Sequence, residues 1–357
     1  MKLFTLGPVE MFEETMKIGG QQVPYFRNQE FSDIVLRSSQ NIKRLLGADD
    51  NSQAIFLTGS GTAAMEATVI NCFTEADRLL VIDGGGFGHR FVELCELHKI
   101  PYVAVKVQEN QTLTRQMIEE AAQGQKFTGL LVNIHESSTG QLYDIEMLSD
   151  YCKENGLFFV VDAISSFLAD PYDVKKYGVD VTILSSQKAL SLAPGLSIVV
   201  LSDRILKERV EKIPSSCMYL DFKSHLENAK RGQTPFTPAV RVIIELDEIL
   251  KMLINIGTSA YIDHVKTLAE DFRRKAVGIG LELPQYPMSN AATTIIFPKG
   301  NAKKVYEELI EKYGIVVNPN GGHQADYALR VAHIGNHVLE DNTFIIDALN
   351  QILTGEK

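Results

Sequence analysis

The feature that most restricts this chain is a rhythm between residues 54 and 201, where short apolar, β-rich runs alternate with stretches of helical spacing. The runs are 54–57, 79–82, 102–107, 130–134, 158–161, 181–184 and 198–201; helical stretches fall at 62–71, 89–98, 115–122 and 146–155. Runs this short, with no polar alternation, are what a strand buried on both faces requires. Strands alternating with helices of about three turns imply a mostly parallel sheet covered on both sides. The expectation is an α/β fold built on a seven-stranded sheet.

The rhythm stops near Leu201. Residues 207–236 read as irregular and polar, and they end in TPFTPAV, whose two prolines exclude a continuous helix. A long helical region follows at 240–277. Short strands around 294–297 and 315–317, with helices near 302–312 and 340–353, suggest a smaller α+β ending. The first residues, punctuated by Gly7-Pro8, read as an extended arm, and 30–46 carries helical spacing that closes at Gly47. The expected organisation is an arm (1–15), a large α/β domain (16–254) and a small C-terminal domain (255–357), which suits a chain of 357 residues.

Composition narrows the class of function. A net charge of -10 and the lack of a dense Lys/Arg run argue against nucleic acid as a partner. The four cysteines are scattered without a CxxC pair, and no HExxH occurs, so no metal site is expected. No apolar run approaches the roughly 20 residues of a membrane span, and MKLFTLGPVEMFEE lacks the form of a signal peptide. A cytoplasmic protein without a membrane partner is expected.

Two strand ends carry the chemistry. The run at 158–161 ends in Asp162, and the run at 181–184 leads through Ser185, Ser186 and Gln187 to Lys188. Parallel neighbours present their carboxyl ends at one edge, where open α/β sheets bind ligands. Alone, each residue reads as an ordinary solvated side chain. Together they suit pyridoxal phosphate, which needs a lysine for its aldehyde and an acid for its pyridine nitrogen. Upstream, Thr58-Gly59-Ser60-Gly61-Thr62 follows a strand and opens a helix, a place for an anion. The same stretch satisfies a dinucleotide fingerprint, Gly59-x-Gly61-x-x-Ala64, with Asp83 about 20 residues on. An NAD-dependent dehydrogenase is therefore a rival at this point. Phe87, among four glycines at 84–88, offers a ring for stacking or a side chain for the core. His135-Glu136-Ser137-Ser138-Thr139-Gly140 supplies hydroxyls or simply a turn. Arg330, in LRVAHIGN, suits a carboxylate or a neighbouring acid.

Taken together, GSGTAAMEA, HESSTG, VDAISS, SSQKAL with its APG, and LRVAHIGN resemble the class V aminotransferases among the fold type I pyridoxal-phosphate enzymes. The likeness is greatest to the alanine–glyoxylate and serine–glyoxylate (or pyruvate) branch, and it runs from the early GPV to LRVAHIGN. The resemblance implies Lys188 as the Schiff-base lysine and Asp162 as partner of the ring nitrogen. It implies Phe87 stacked on the ring, with Ile164 on the other face and Ser138 near the ring hydroxyl. Ser60, Gly61, Thr62 and Gln187 would hold the phosphate. Arg330 would take the substrate carboxylate, with Gly7 beside the substrate. Thr234 would reach the neighbouring subunit's cofactor, which implies a homodimer. The implied activity moves an amino group from a small amino acid to a 2-oxo acid by a ping-pong route. A 2-aminoethylphosphonate–pyruvate or phosphoserine transaminase on the same fold is the alternative. Two positions depart from the family: Arg231 stands where relatives often carry tyrosine, and Ala332 where they usually carry glycine. A cysteine desulfurase would need a nucleophilic cysteine late in the chain, and none follows Cys217.

Overall fold

The structure is a computed structural model describing residues 1–355. Its strands, in chain order, are β1 (Lys2–Phe4), β2 (Gln53–Thr58), β3 (Leu79–Asp83), β4 (Tyr102–Lys106), β5 (Gly129–Asn133), β6 (His135–Glu136), β7 (Gln141–Leu142), β8 (Phe158–Asp162), β9 (Val181–Ser185), β10 (Leu196–Leu201), β11 (Ala292–Ile296), β12 (Ile315–Pro319) and β13 (Ala328–Ala332). Seven of them form the large sheet in the order β2-β10-β9-β8-β5-β3-β4. Only β10 runs against the rest: it pairs antiparallel with β9 and β2, while every other pairing is parallel. The carboxyl ends of β2, β3, β5, β8 and β9 therefore share one edge.

Burial explains why these runs become strands. In β8, Phe158 and Val160 enter one apolar cluster with Ile55, Val81 and Phe91, while Phe159 and Val161 enter another with Phe56 and Leu130. A strand that alternates between two cores needs apolar residues at every position. Four helices matter for the site: α1 (Glu13–Gly19), α2 (Gln29–Leu45), α3 (Gly61–Cys72) and α4 (Gly86–Leu97). In α2, Phe31, Val35, Ile42 and Leu45 are buried at helical spacing, and the Asn28 side chain caps the start by accepting from the Phe31 N–H.

The second sheet has the order β1-β12-β13-β11. Its outer strand comes from the chain's first residues: β1 lies parallel to β12, with Lys2 opposite Ile315. The stretch at 240–277 is two helices, Val240–Ile256 and Thr258–Gly278, separated at Gly257 with φ 90. Residues 207–236 are more ordered than their polarity suggested: they hold most of a π-helical turn (Leu206–Val210) and a helix (Phe222–Ala229) whose first N–H groups are accepted by Asp221. Among the described residues, no helix is long and apolar enough to cross a membrane.

Candidate active site at the carboxyl edge of the large sheet

β8 ends in Asp162, which is 1% exposed. Its Oδ1 accepts the Ile164 N–H at 2.8 Å and its Oδ2 accepts Asn133 Nδ2 at 2.9 Å. Burial pushes the carboxyl up to about 6 against the pull of these bonds and of Lys188. On the neighbouring strand, β9 ends at Ser185 and the chain turns tightly. The Ser186 N–H donates to Leu196 O at 2.9 Å and the Ser191 N–H to Lys188 O at 2.8 Å, which fixes the backbone on both sides of the lysine. Burial lowers the Lys188 amine to about 8; Asp162 raises it and Arg330 adds to the lowering. Its Nζ lies 5.9 Å from the centroid of the Phe87 ring.

These residues meet in a cavity of about 180 Å³. The structure brings Ser60, Gly61, Thr62 and Phe87 to its wall, together with Asp162, Ile164, Gln187 and Lys188. Ser60 is the N-cap of α3 but makes no side-chain cap; the Ala63 N–H donates to Ser60 O at 2.9 Å, which leaves the N–H groups of Gly61 and Thr62 for another acceptor. Gly61 is there for close approach: a Cβ would lie 2.3 Å from Ile164 Cδ1. Gly7 packs against the lysine, and a Cβ on it would lie 2.9 Å from Lys188 Cδ.

Arg330 and Ser138 stand one layer away. The Arg330 guanidinium donates to Ser137 O and, at 2.7 Å, to Pro319 O, while its Nε is buried without a partner. Burial lowers it to about 10. Ser138 lines an adjoining cleft of about 870 Å³ with Gly86, Tyr286, Thr294 and Tyr327. Thr234 is not brought to this cavity. It lines a small pocket beside Ala54 and His225, and its hydroxyl donates to Phe236 O at 2.7 Å. Arg231 is exposed and donates to Asn228 Oδ1 at 2.7 Å.

Three contributors have no role assigned from the sequence. Asn133, at the end of β5, holds Asp162 and lines the cavity. Arg90 lines it as well. Glu136, fully buried, accepts the N–H groups of Gly88 at 2.8 Å, Phe87 at 3.2 Å and Ser138 at 3.1 Å, and the Ser138 hydroxyl at 2.5 Å. One carboxylate thus ties the start of α4, the aromatic ring and the serine together. His135 beside it has neither ring nitrogen paired, and burial drops it to about 3, which makes it neutral and no proton carrier near pH 7.

The donor set fits pyridoxal phosphate: an open helix start with hydroxyls for an anion, a ring and an aliphatic side chain for a flat heterocycle, a buried acid and an amine of lowered basicity. It does not fit a dinucleotide at Gly59-x-Gly61-x-x-Ala64. β2 is an edge strand whose one neighbour is antiparallel, so no parallel crossover begins there. Asp83, which that reading needs for a ribose, is taken by Lys106 and His89.

Comparison with known proteins agrees. Residues 19–338 match the family model described as aminotransferase class-V. An uncharacterized aminotransferase of Methanocaldococcus jannaschii is 26% identical over 336 residues, covering 92% of this chain and 86% of that protein. The L-aspartate–glyoxylate aminotransferase of Paracoccus denitrificans is 25% identical over 345 residues, covering 94% of this chain and 86% of that one. The crystal structure of alanine–glyoxylate aminotransferase from Nostoc sp. superposes with a TM-score of 0.92 at 22% identity, over 98% of this chain and 94% of that chain. The chain belongs to the class V aminotransferase family, a pyridoxal-phosphate-dependent transaminase on the fold type I architecture.

Proposed function

We propose that the enzyme transfers the amino group of a small neutral amino acid, of the alanine or serine type, to a 2-oxo acid such as glyoxylate or pyruvate. The observation that carries this reading is the meeting of Lys188, Asp162, Phe87 and the open start of α3 around one cavity. When bound, pyridoxal phosphate supplies an aldehyde for the amino group and a ring that withdraws electrons from the carbon losing its proton.

The chain's own residues supply the rest. Lys188, lowered to about 8, is partly neutral near pH 7. Its Nζ would hold the aldehyde and, as a free amine, would serve as the base that moves a proton between two carbons. Asp162 would pair with the ring nitrogen and keep a proton on it, while Asn133 and the Ile164 N–H hold the carboxylate in place. Arg330 has an unpaired Nε for a substrate carboxylate. Ser138, whose hydroxyl donates to Glu136 at the edge of the adjoining cleft, would stand near the ring hydroxyl.

The adjoining cleft supports a neutral substrate side chain. Its described lining includes Glu109, which binds His323 and Gln324, and no lysine or arginine. A phosphonate, phosphate or second carboxylate would find no strong cation there, which disfavours aminoethylphosphonate, phosphoserine and the aspartate of the Paracoccus relative's name. Thr234, outside its own subunit's cavity, is assigned to the cofactor phosphate of the second subunit in a homodimer, whereas Arg231 is exposed and donates to Asn228.

Two measurements test this. Borohydride should fix the cofactor on the wild-type chain but not on Lys188→Ala; fixation on the variant would remove Lys188 from its role. In a half-reaction screen, alanine or serine should bleach the yellow cofactor band, whereas bleaching by phosphoserine, aminoethylphosphonate or aspartate alone would overturn the neutral-substrate reading.

A further inference from the structure

The cavity holds a second cation that the reaction scheme above leaves unused. Arg90 is three residues past Phe87 in α4, and its side chain lines the wall beside Ser60, Gly61 and Thr62. Its Nη1 donates to Thr62 Oγ1 at 3.0 Å, and its Cζ lies 5.1 Å from the centroid of the Phe87 ring.

Two physical consequences follow. A hydroxyl carries one proton; because Thr62 Oγ1 accepts from Arg90, its own O–H is free to donate elsewhere. Thr62 lies in the first turn of α3, where the N–H groups also lack a side-chain cap, so hydroxyl and backbone can serve one acceptor. The second consequence concerns charge. A phosphate monoester carries roughly −1.5 to −2 near pH 7, and a helix start offers the equivalent of about half a positive charge. Ser60, Thr62 and Gln187 are neutral donors, and the Lys188 amine is committed to the aldehyde. Among the described residues lining the cavity, Arg90 is the remaining cation.

We propose that Arg90 is the counter-charge of the cofactor's phosphate within the same subunit: it binds the phosphate through its remaining N–H groups and turns the Thr62 hydroxyl toward it. The inference rests on the pyridoxal-phosphate reading of the cavity and adds a ligand to it.

The test compares two ligands that differ only in the anion. Full-length cofactor-free protein is titrated with pyridoxal phosphate and with pyridoxal, following the absorbance of bound cofactor. In Arg90→Gln, affinity for pyridoxal phosphate should fall roughly 10- to 150-fold while affinity for pyridoxal changes by about twofold or less. Arg90→Lys, which keeps the charge but not the fork, should recover part of the loss. If Arg90→Gln does not fold, Arg90→Lys against wild type carries the same comparison, again with loss for the phosphorylated ligand alone. Equal losses for both ligands would make Arg90 a support for Phe87 and overturn the proposal. So would unchanged pyridoxal-phosphate affinity with weakened phosphoserine binding, which would place the anion on the substrate. Failure of borohydride to fix cofactor on Lys188 of the wild-type protein would instead remove the reading underneath.

Discussion

At the scale of single residues, the site is a set of groups whose pKa values burial shifts from their ordinary ones. Lys188 is the clearest. Its lowered value means that the neutral, nucleophilic amine grows as pH rises through about 8, not 10.5. The rate of cofactor capture by the cofactor-free chain should therefore climb with pH around a midpoint near 8, followed by stopped-flow absorbance. Asp162 raises the amine's value, so Asp162→Asn should move that midpoint down. A midpoint near 10 in the wild type would mean that the amine is solvated. Asp162 and Lys188 were legible in the sequence because each closes an apolar run, and strand ends converge by topology alone. Arg90, Asn133 and Glu136 were not. Each sits one or a few residues from a marked position, but its use depends on Thr62, Asp162 or the 85–88 turn, which no spacing rule brings beside it.

At the scale of elements, the glycines before α4 are explained by Glu136. A Cβ on Gly85 would lie 2.6 Å from the Glu136 Cδ, so the loop wraps the carboxylate closely enough to donate to it. Glu136→Gln leaves the size unchanged but turns NH₂ toward N–H donors, and loss of one charged hydrogen bond costs about 1.5–3 kcal/mol. Urea unfolding of the variant should show a loss of that order together with weaker cofactor binding; a loss below about 0.5 kcal/mol would mean the turn holds itself. The central strands were legible to within a residue or two, because burial on both faces leaves an unbroken apolar signature. β1 was not: three residues carry too little period to announce a strand, and its partner lies at the other end of the chain. Residues 240–277 read as one helical region because no proline interrupts them; the turn that separates its two helices is at Gly257.

At the scale of the whole molecule, the first eight residues join the two sheets. β1 is anchored on β12, Leu6 N donates to Asn318 Oδ1, and Gly7 then lies against Lys188 and Gln187. A side chain at Gly7 would meet Lys188 Cδ at 2.9 Å and Gln187 O at 3.1 Å, on a backbone at φ +151. Gly7→Ala should cost about 1–3 kcal/mol and slow cofactor capture. Paired thermal unfolding and capture kinetics check this, and a variant that is wild-type in both would show that the arm yields freely.

The same arm sets an order of events on the ribosome. Leu6 finds its acceptor 312 residues later in the chain. At about 5–20 residues per second that is a wait of about 15–60 s. Until then the large sheet can pair all its strands, but the anchor that holds Gly7 against Lys188 is missing. A nascent chain truncated before β12 therefore carries every residue that lines the cavity, all between 60 and 188, but lacks that anchor.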